Sequence, residues 1–307
     1  MDEPRGMQIE TVFCAFDFSD TAESALEQAM RFARRHRGRL ILAHAVEPIP
    51  LGPYPAIMSP HDELEIVNIA RKRIEGLADS LRKAGMTVEV KVEQGQPGAQ
   101  LISMAEETGA DLIVIGTRGL TGFNRLAMGS TAEHVVRCSK CPVLTVHPED
   151  RLLRASIDTV IIPTDLSPNA KEAVEAFISL FGQWERPQVF LVYADETPPY
   201  LDLFEHERLR RAQQQDVMRE EIERQLAPIA ELLRAADFEV EFSVMDGDPV
   251  SVTTELAREC DADLILLSTH GRSALVNALL GRTAQRIVQH AKCPVLTVRP
   301  EGGNPDS

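Results

Sequence analysis

Residues 110–119 read ADLIVIGTRG, and residues 262–271 read ADLILLSTHG. Each is an aliphatic run that stops at a glycine-containing turn, the pattern of a short strand buried on both faces. The recurrence, 152 residues apart, has company: KCPVLTV stands at 140–146 and, unchanged, at 292–298, and EQGQPG at 93–98 matches MDGDPV at 245–250. VFCAFDFSD at 12–20 matches VIIPTDLSP at 160–168, here at an offset of 148. The second copy therefore carries four extra residues after its first strand. A period this long means a duplicated domain, not a solenoid of short repeats.

Working outward, strand and helix patterns alternate through the first copy. Strands are expected at 11–16, 38–46, 87–95, 111–116 and 142–147, and helices at 20–36, 62–85, 97–108 and 130–138. Asp20 and Glu23 have capping-box spacing at the first helix, Gly85 ends the second, and a Pro-rich loop spans 48–60. The second copy keeps the order. Its first helix, 166–181, has Ser167 as N-cap and Pro168 at the first helical position, and its second, about 203–235, is expected to bend at Pro228. A short link lies at about 149–157. The expected fold class is α/β: two repeated doubly wound domains, residues 1–150 and 151–307, each a five-stranded parallel sheet flanked by helices. Ligands on such sheets bind at the carboxyl ends of the strands, where strand order reverses.

The 307 residues suffice for two domains that each bury a core, and the dominance of Ala, Val, Ile and Leu over aromatics suits α/β packing. Net charge is −15, split as −5 over residues 1–150 (16 basic, 21 acidic) and −10 over the rest (16 basic, 26 acidic). So acidic a chain argues against nucleic-acid binding, which needs basic surface to displace counterions. The start, MDEPRGMQIE, has no apolar core and is not a signal peptide. No apolar run approaches the roughly 20 residues that span a bilayer. A cytoplasmic location is expected, with cysteines 14, 138, 141, 260 and 293 reduced.

The first copy continues its fourth strand as GTRGLTGFNRLAMGST, residues 116–131. Glycine at 116 and 119 lets a backbone turn sharply and approach a ligand without an intervening Cβ. Gly129, Ser130 and Thr131 stand where a helix begins, and free N–H groups with the helix dipole favour an anion there. The alternative is a tight turn followed by an ordinary helix start. The absence of GxxxxGK[ST] excludes a P-loop, and a glycine pair after the fourth strand is not the dinucleotide fingerprint, which follows the first.

The spacing G-x2-G-x9-G-[ST], an aspartate ending the first strand and a closing CPVLTV strand together resemble the universal stress protein family, in tandem form. The resemblance covers both repeats. It implies a Rossmann-like, adenine nucleotide α-hydrolase-like fold, and an ATP-binding stress-response regulator with or without Mg2+. By position it places phosphates on Gly116, Gly119, Gly129 and Ser130, with Thr131 beside them and Arg118 inside the loop. Asp17 would meet ribose or adenine, and the main chain of Ala45 would meet adenine. Asp17 could instead cap the first helix or bond its own turn. His44 reads as a packed strand-end histidine. A partner-binding scaffold and a slow ATPase are the alternative functions, though no general base is placed near the loop. The resemblance also implies homodimerisation and an intramolecular pseudo-dimer through the KCPVLTV strands; protein partners are unspecified.

In the second copy the loop reads STHGRSALVNALLGRT, residues 268–283. Asp165, Ala194, Gly271, Gly281 and Thr283 keep the pattern; Ser268 and Arg282 replace Gly116 and Ser130, and Tyr193 replaces His44. If position 268 needs φ > 0, serine costs on the order of 1 kcal/mol. Arg282 either fills the phosphate space or clasps phosphate with Arg272. Repeat two is expected to bind nucleotide weakly or not at all. Cys138 and Cys141 have CxxC spacing, and with His290 and Cys293 they offer zinc-type ligands. The helix-closing position and the match of Cys141 to Cys293 at a repeated strand favour a structural role.

Overall fold

A computed structural model of the chain describes residues 9–48, 60–118, 128–147, 150, 157–182, 186–196, 205–269 and 280–299. The chain divides into two compact units, one of residues 8–152 and one drawing on 153–307. The first runs β1 (Thr11–Ala15), α1 (Asp20–His36), β2 (Arg39–Val46), α2 (Pro60–Lys83), β3 (Val88–Gln94), α3 (Pro97–Glu107), β4 (Leu112–Gly116), α4 (Ser130–Cys138) and β5 (Val143–Val146). The second repeats that order: β6 (Thr159–Pro163), α5 (Pro168–Phe181), β7 (Gln188–Asp195), α6 (Glu205–Ala235), β8 (Glu239–Asp246), α7 (Pro249–Glu259), β9 (Leu264–Ser268), α8 (Arg282–His290) and β10 (Val295–Val298).

Within the first unit the strands lie in the order β3-β2-β1-β4-β5, all parallel. The second has β8-β7-β6-β9-β10, also parallel. Strand order reverses beside β1 in one and beside β6 in the other, which opens a crevice at the carboxyl ends. All of β1 is buried, and β4 is buried up to Gly116, as continuous apolar strands require when helices cover both faces. Helix α1 buries Ala22, Ala25, Leu26, Ala29, Phe32 and Ala33, one stripe at helical spacing. Phe13 and Ile41 sit at 0% exposure, each burial stabilising by about 1.5–3 kcal/mol.

Register is pinned away from the crevice by one device used twice. Asp111 Oδ2 accepts from Glu10 N–H (2.8 Å) and Thr11 N–H (2.9 Å). Asp263 Oδ2 accepts from Asp158 N–H (2.8 Å) and Thr159 N–H (3.1 Å). Each ties the start of the unit's fourth strand to the start of its first. A second pair joins helix to outer strand: Arg71 of α2 donates to the Val92 carbonyl of β3 (2.8 Å) and Arg219 of α6 to the Val244 carbonyl of β8 (2.9 Å).

Two sequence expectations change. The cap of α1 is Ser19, not Asp20: its Oγ accepts from Ala22 N–H at 3.2 Å, which leaves Asp20 and Glu23 as first-turn acids near the helix dipole. Position 116 needs no positive φ, since among the described residues only Gly85, Gly109 and Gly247 among glycines have one. Ser268 therefore carries no left-handed strain. Helix α2 stops at Lys83, and Gly85 takes the left-handed turn with φ +85°.

Candidate functional site

In repeat one the turn after β1 is built on Asp17. Its Oδ1 accepts from Ser19 N–H (3.0 Å) and from Ser19 Oγ–H (2.5 Å). Phe18 between them is left-handed, φ 67°. The Asp17 side chain thus bonds its own turn, one of the two alternatives left open by the sequence. The Ser19 hydroxyl also lies 3.4 Å from the Arg118 carbonyl, joining the β1 turn to the residue after Thr117.

Across the crevice, Gly116 ends β4 half-buried against α1. A Cβ there would meet Thr21 Cγ2 at 2.7 Å and the Thr21 carbonyl carbon at 3.1 Å. This glycine lets strand and helix approach each other, whatever else binds. Gly129 is the N-cap of α4 in extended conformation, with no side-chain cap. Its N–H donates to the Thr117 carbonyl at 2.8 Å, and its carbonyl accepts the first intrahelical bond from Glu133 at 2.9 Å. The N–H groups of Ser130, Thr131 and Ala132 accordingly receive no cap side chain and face the dipole's positive end outward. Ser130 is exposed and Thr131 half-buried. Beside them the Thr117 Oγ is buried without a hydrogen-bond partner among the described residues.

The side of β1 facing β2 carries an aromatic group that sequence reading did not assemble. His44 Nδ1 lies 2.7 Å from the Phe16 carbonyl. The Phe18 ring stands 5.3 Å from the His44 ring and 5.3 Å from Phe16, and the Arg73 guanidinium of α2 lies 3.9 Å above it. That distance is a cation–π contact. Ala45 follows, half-buried, in β2. His44 is a packed, backbone-bonded histidine. No single-sequence signal pairs Arg73 with Phe18, because the contact joins a helix and a turn 55 positions apart.

Repeat two has a cleft of about 560 Å3 at the corresponding ends of β6, β7 and β9. Asp165, Ala194, Gly281, Arg282 and Thr283, all expected from the sequence, line it. Asp165 Oδ1 accepts from Ser167 N–H (3.0 Å) around a left-handed Leu166 (φ 61°), the same turn as in repeat one. Gly281 caps α8 without a side-chain bond, its N–H donating to the Thr269 carbonyl at 3.1 Å. Sequence reading missed Asp248 and Arg286, which also line the cleft and pair at 3.2 Å. The available signal was Arg286 four residues after Arg282, on one helix face. Gly119, Gly271 and Arg272 lie outside the described residues.

All five cysteines are free thiols. Cys138 ends α4 and Cys141 follows the C-cap, so neither gains from a helix N-terminus. Burial pushes the Cys141 thiol up, away from the reactive thiolate. Among the described residues no group of three or more His, Cys, Asp or Glu is placed to hold a metal ion. None of the described helices is long and apolar enough to cross a membrane.

The turn, the bare helix start and the doubled topology can be compared with known proteins. A model of the universal stress protein family matches residues 8–147 and again 156–299. The chain belongs to the universal stress protein family. A universal stress protein of Mycolicibacterium smegmatis is 27% identical over 300 residues, covering 94% of this chain and 97% of the relative. A solved universal stress protein from Archaeoglobus fulgidus shares the tandem fold, with TM-score 0.70 at 20% identity over 97% of this chain and 98% of that one. A universal stress protein solved in complex with cAMP is 28% identical, covering 45% of this chain and 97% of its own, with TM-score 0.35. As a universal stress protein, this chain carries the family segment twice.

Proposed function

We propose that repeat one binds an adenine nucleotide, ATP in the first instance, and that occupancy regulates conformation or partner choice in a stress response. The observation that carries the reading is the start of α4: three N–H groups, no side-chain cap, and a glycine at the N-cap beside the switch point of the sheet. Such a helix start favours phosphate. The unpartnered Thr117 hydroxyl adds a buried donor at the same edge. These groups fit a phosphate chain. Asp17, Ala45, Gly116, Arg118, Gly129, Ser130 and Thr131 are its proposed contacts, with Gly119. Mg2+ would come with the phosphates.

Binding is favoured over hydrolysis. The Asp17 carboxylate holds its own turn, its Oδ1 accepting from Ser19 N–H and Oγ–H, a positioning role rather than one in proton transfer. Mass spectrometry of the denatured purified chain tests occupancy, and titration with ATP tests affinity. Ser130→Asp is the informative variant: a first-turn carboxylate suits the helix but repels phosphate. At least a tenfold loss of ATP affinity is expected, about 1.4 kcal/mol, with folding intact. Unchanged affinity would move the site elsewhere. Homodimerisation is part of the same proposal, and sedimentation equilibrium with and without ATP tests it. Measured phosphate release above the uncatalysed rate would restore the ATPase reading.

A further inference from the structure

Arg71 of α2 and Arg219 of α6 hold equivalent carbonyls, Val92 and Val244, so the two helices align residue by residue, 148 positions apart. Two residues before each arginine an aliphatic side chain stands in solvent: Ile69 is 60% exposed and Val217 66%. Leu64 and Met218, at 64% and 55%, extend the two patches. Among the described residues, exposed large hydrophobic side chains are confined to these two helices, one patch in each unit. A single exposed aliphatic residue is ordinary, but the same position exposed in both repeats marks a surface.

The charges beside the patches differ in sign. Three and four residues on, on the same helix face, α2 has Lys72 and Arg73 where α6 has Glu220 and Glu221. One of each pair is committed within its own unit: Arg73 lies over the Phe18 ring, and Glu221 holds Arg224 at 2.6 Å. Lys72 and Glu220 are exposed, with no hydrogen-bond or ion-pair partner among the described residues. Each repeat therefore presents an aliphatic side chain beside one uncommitted charge, basic in repeat one and acidic in repeat two. Like faces repel each other, and the unlike pair is complementary.

Building on the homodimer proposed above, we propose that these faces join two copies of this chain, α2 of each packing beside α6 of the other. The two helices run the same way, so that Ile69 meets Val217 and Lys72 meets Glu220. A two-fold axis makes this contact twice, which covers both patches of both chains and stops association at the dimer. Elsewhere a chain of net charge −15 repels its own copies, so the basic-to-acidic match selects the approach.

Sedimentation equilibrium of the full-length chain, without nucleotide, tests this. The parent should dimerise, more weakly as salt is raised. Lys72→Glu and Glu220→Lys each set like charges against each other at both contacts, and each should raise the dimer dissociation constant about tenfold or more. Urea denaturation should find both variants as stable as the parent, since both positions are exposed. An equimolar mixture of the two variants should associate as tightly as the parent, because in the mixed dimer one contact is native and the other has its charges exchanged. A parent that stays monomeric would overturn the homodimer reading and this interface with it. A dimer that survives both substitutions, or a mixture no tighter than its components, would overturn this interface and leave the homodimer to another surface.

Discussion

A methyl group on Gly116 would stand 2.7 Å from Thr21 Cγ2 and 3.1 Å from the Thr21 carbonyl carbon, in a contact between β4 and α1. Gly116→Ala should therefore cost about 1–3 kcal/mol in urea denaturation, as overpacking does, with or without nucleotide. A loss of affinity with no loss of stability would contradict that account. Sequence reading found this residue but gave it a ligand's reason; the steric reason depends on a helix that only folding brings near. His36 is a second case. It is 2% exposed on the last turn of α1, and burial, then Arg35, lowers its pKa to about 4. From 6.5 down to that value the unfolded chain binds more protons than the folded one. Stability from neutral His36 is thus present above pH 6.5 and is lost as pH falls through 4, by up to about 3 kcal/mol. His36→Phe should flatten the denaturation midpoint across that window; a slope that persists would assign the effect to another group.

The two serines at equivalent helix starts are not equivalent. Ser19 caps α1 through Ala22 N–H and also binds Asp17, so Ser19→Ala should cost ~1 kcal/mol in equilibrium unfolding. Ser167 makes no side-chain cap bond, and its Oγ is buried without a partner. Ser167→Ala should be neutral or stabilising, within about 0.5 kcal/mol of neutral or better, because it removes a desolvated hydroxyl. Equal losses would refute the distinction. Sequence reading placed Ser167 at the N-cap, where the structure has it without a side-chain bond, and passed over Ser19. Local pattern does not reveal which hydroxyl meets an N–H, since that turns on side-chain orientation. Elements as units were far more legible. Helix α1 spans 20–36 as expected, and strands differ from expectation by about one residue at their ends, where ladder bonds rather than hydrophobicity set the limit.

For the whole molecule, ligand binding is linked to stability. ATP at a hundred times its dissociation constant should add about 2.7 kcal/mol to the unit that holds it, read as a shift in the urea midpoint. No shift at saturation would count against repeat one as a nucleotide site. Duplication, parallel α/β architecture and the placing of glycines and aspartates at strand ends were all determined by the sequence itself. Buried parallel strands must be apolar throughout, and a duplicated chain keeps its spacing. Tertiary structure alone decided what those end residues do. It set Gly116 against Thr21, committed Asp17 to its own turn, put Arg73 over Phe18, and tied Arg286 to Asp248 while leaving Arg282 facing the cleft. Each of these contacts joins groups far apart in the chain or depends on the direction of a side chain. Such pairings carry no periodicity, and only the packed backbone fixes them.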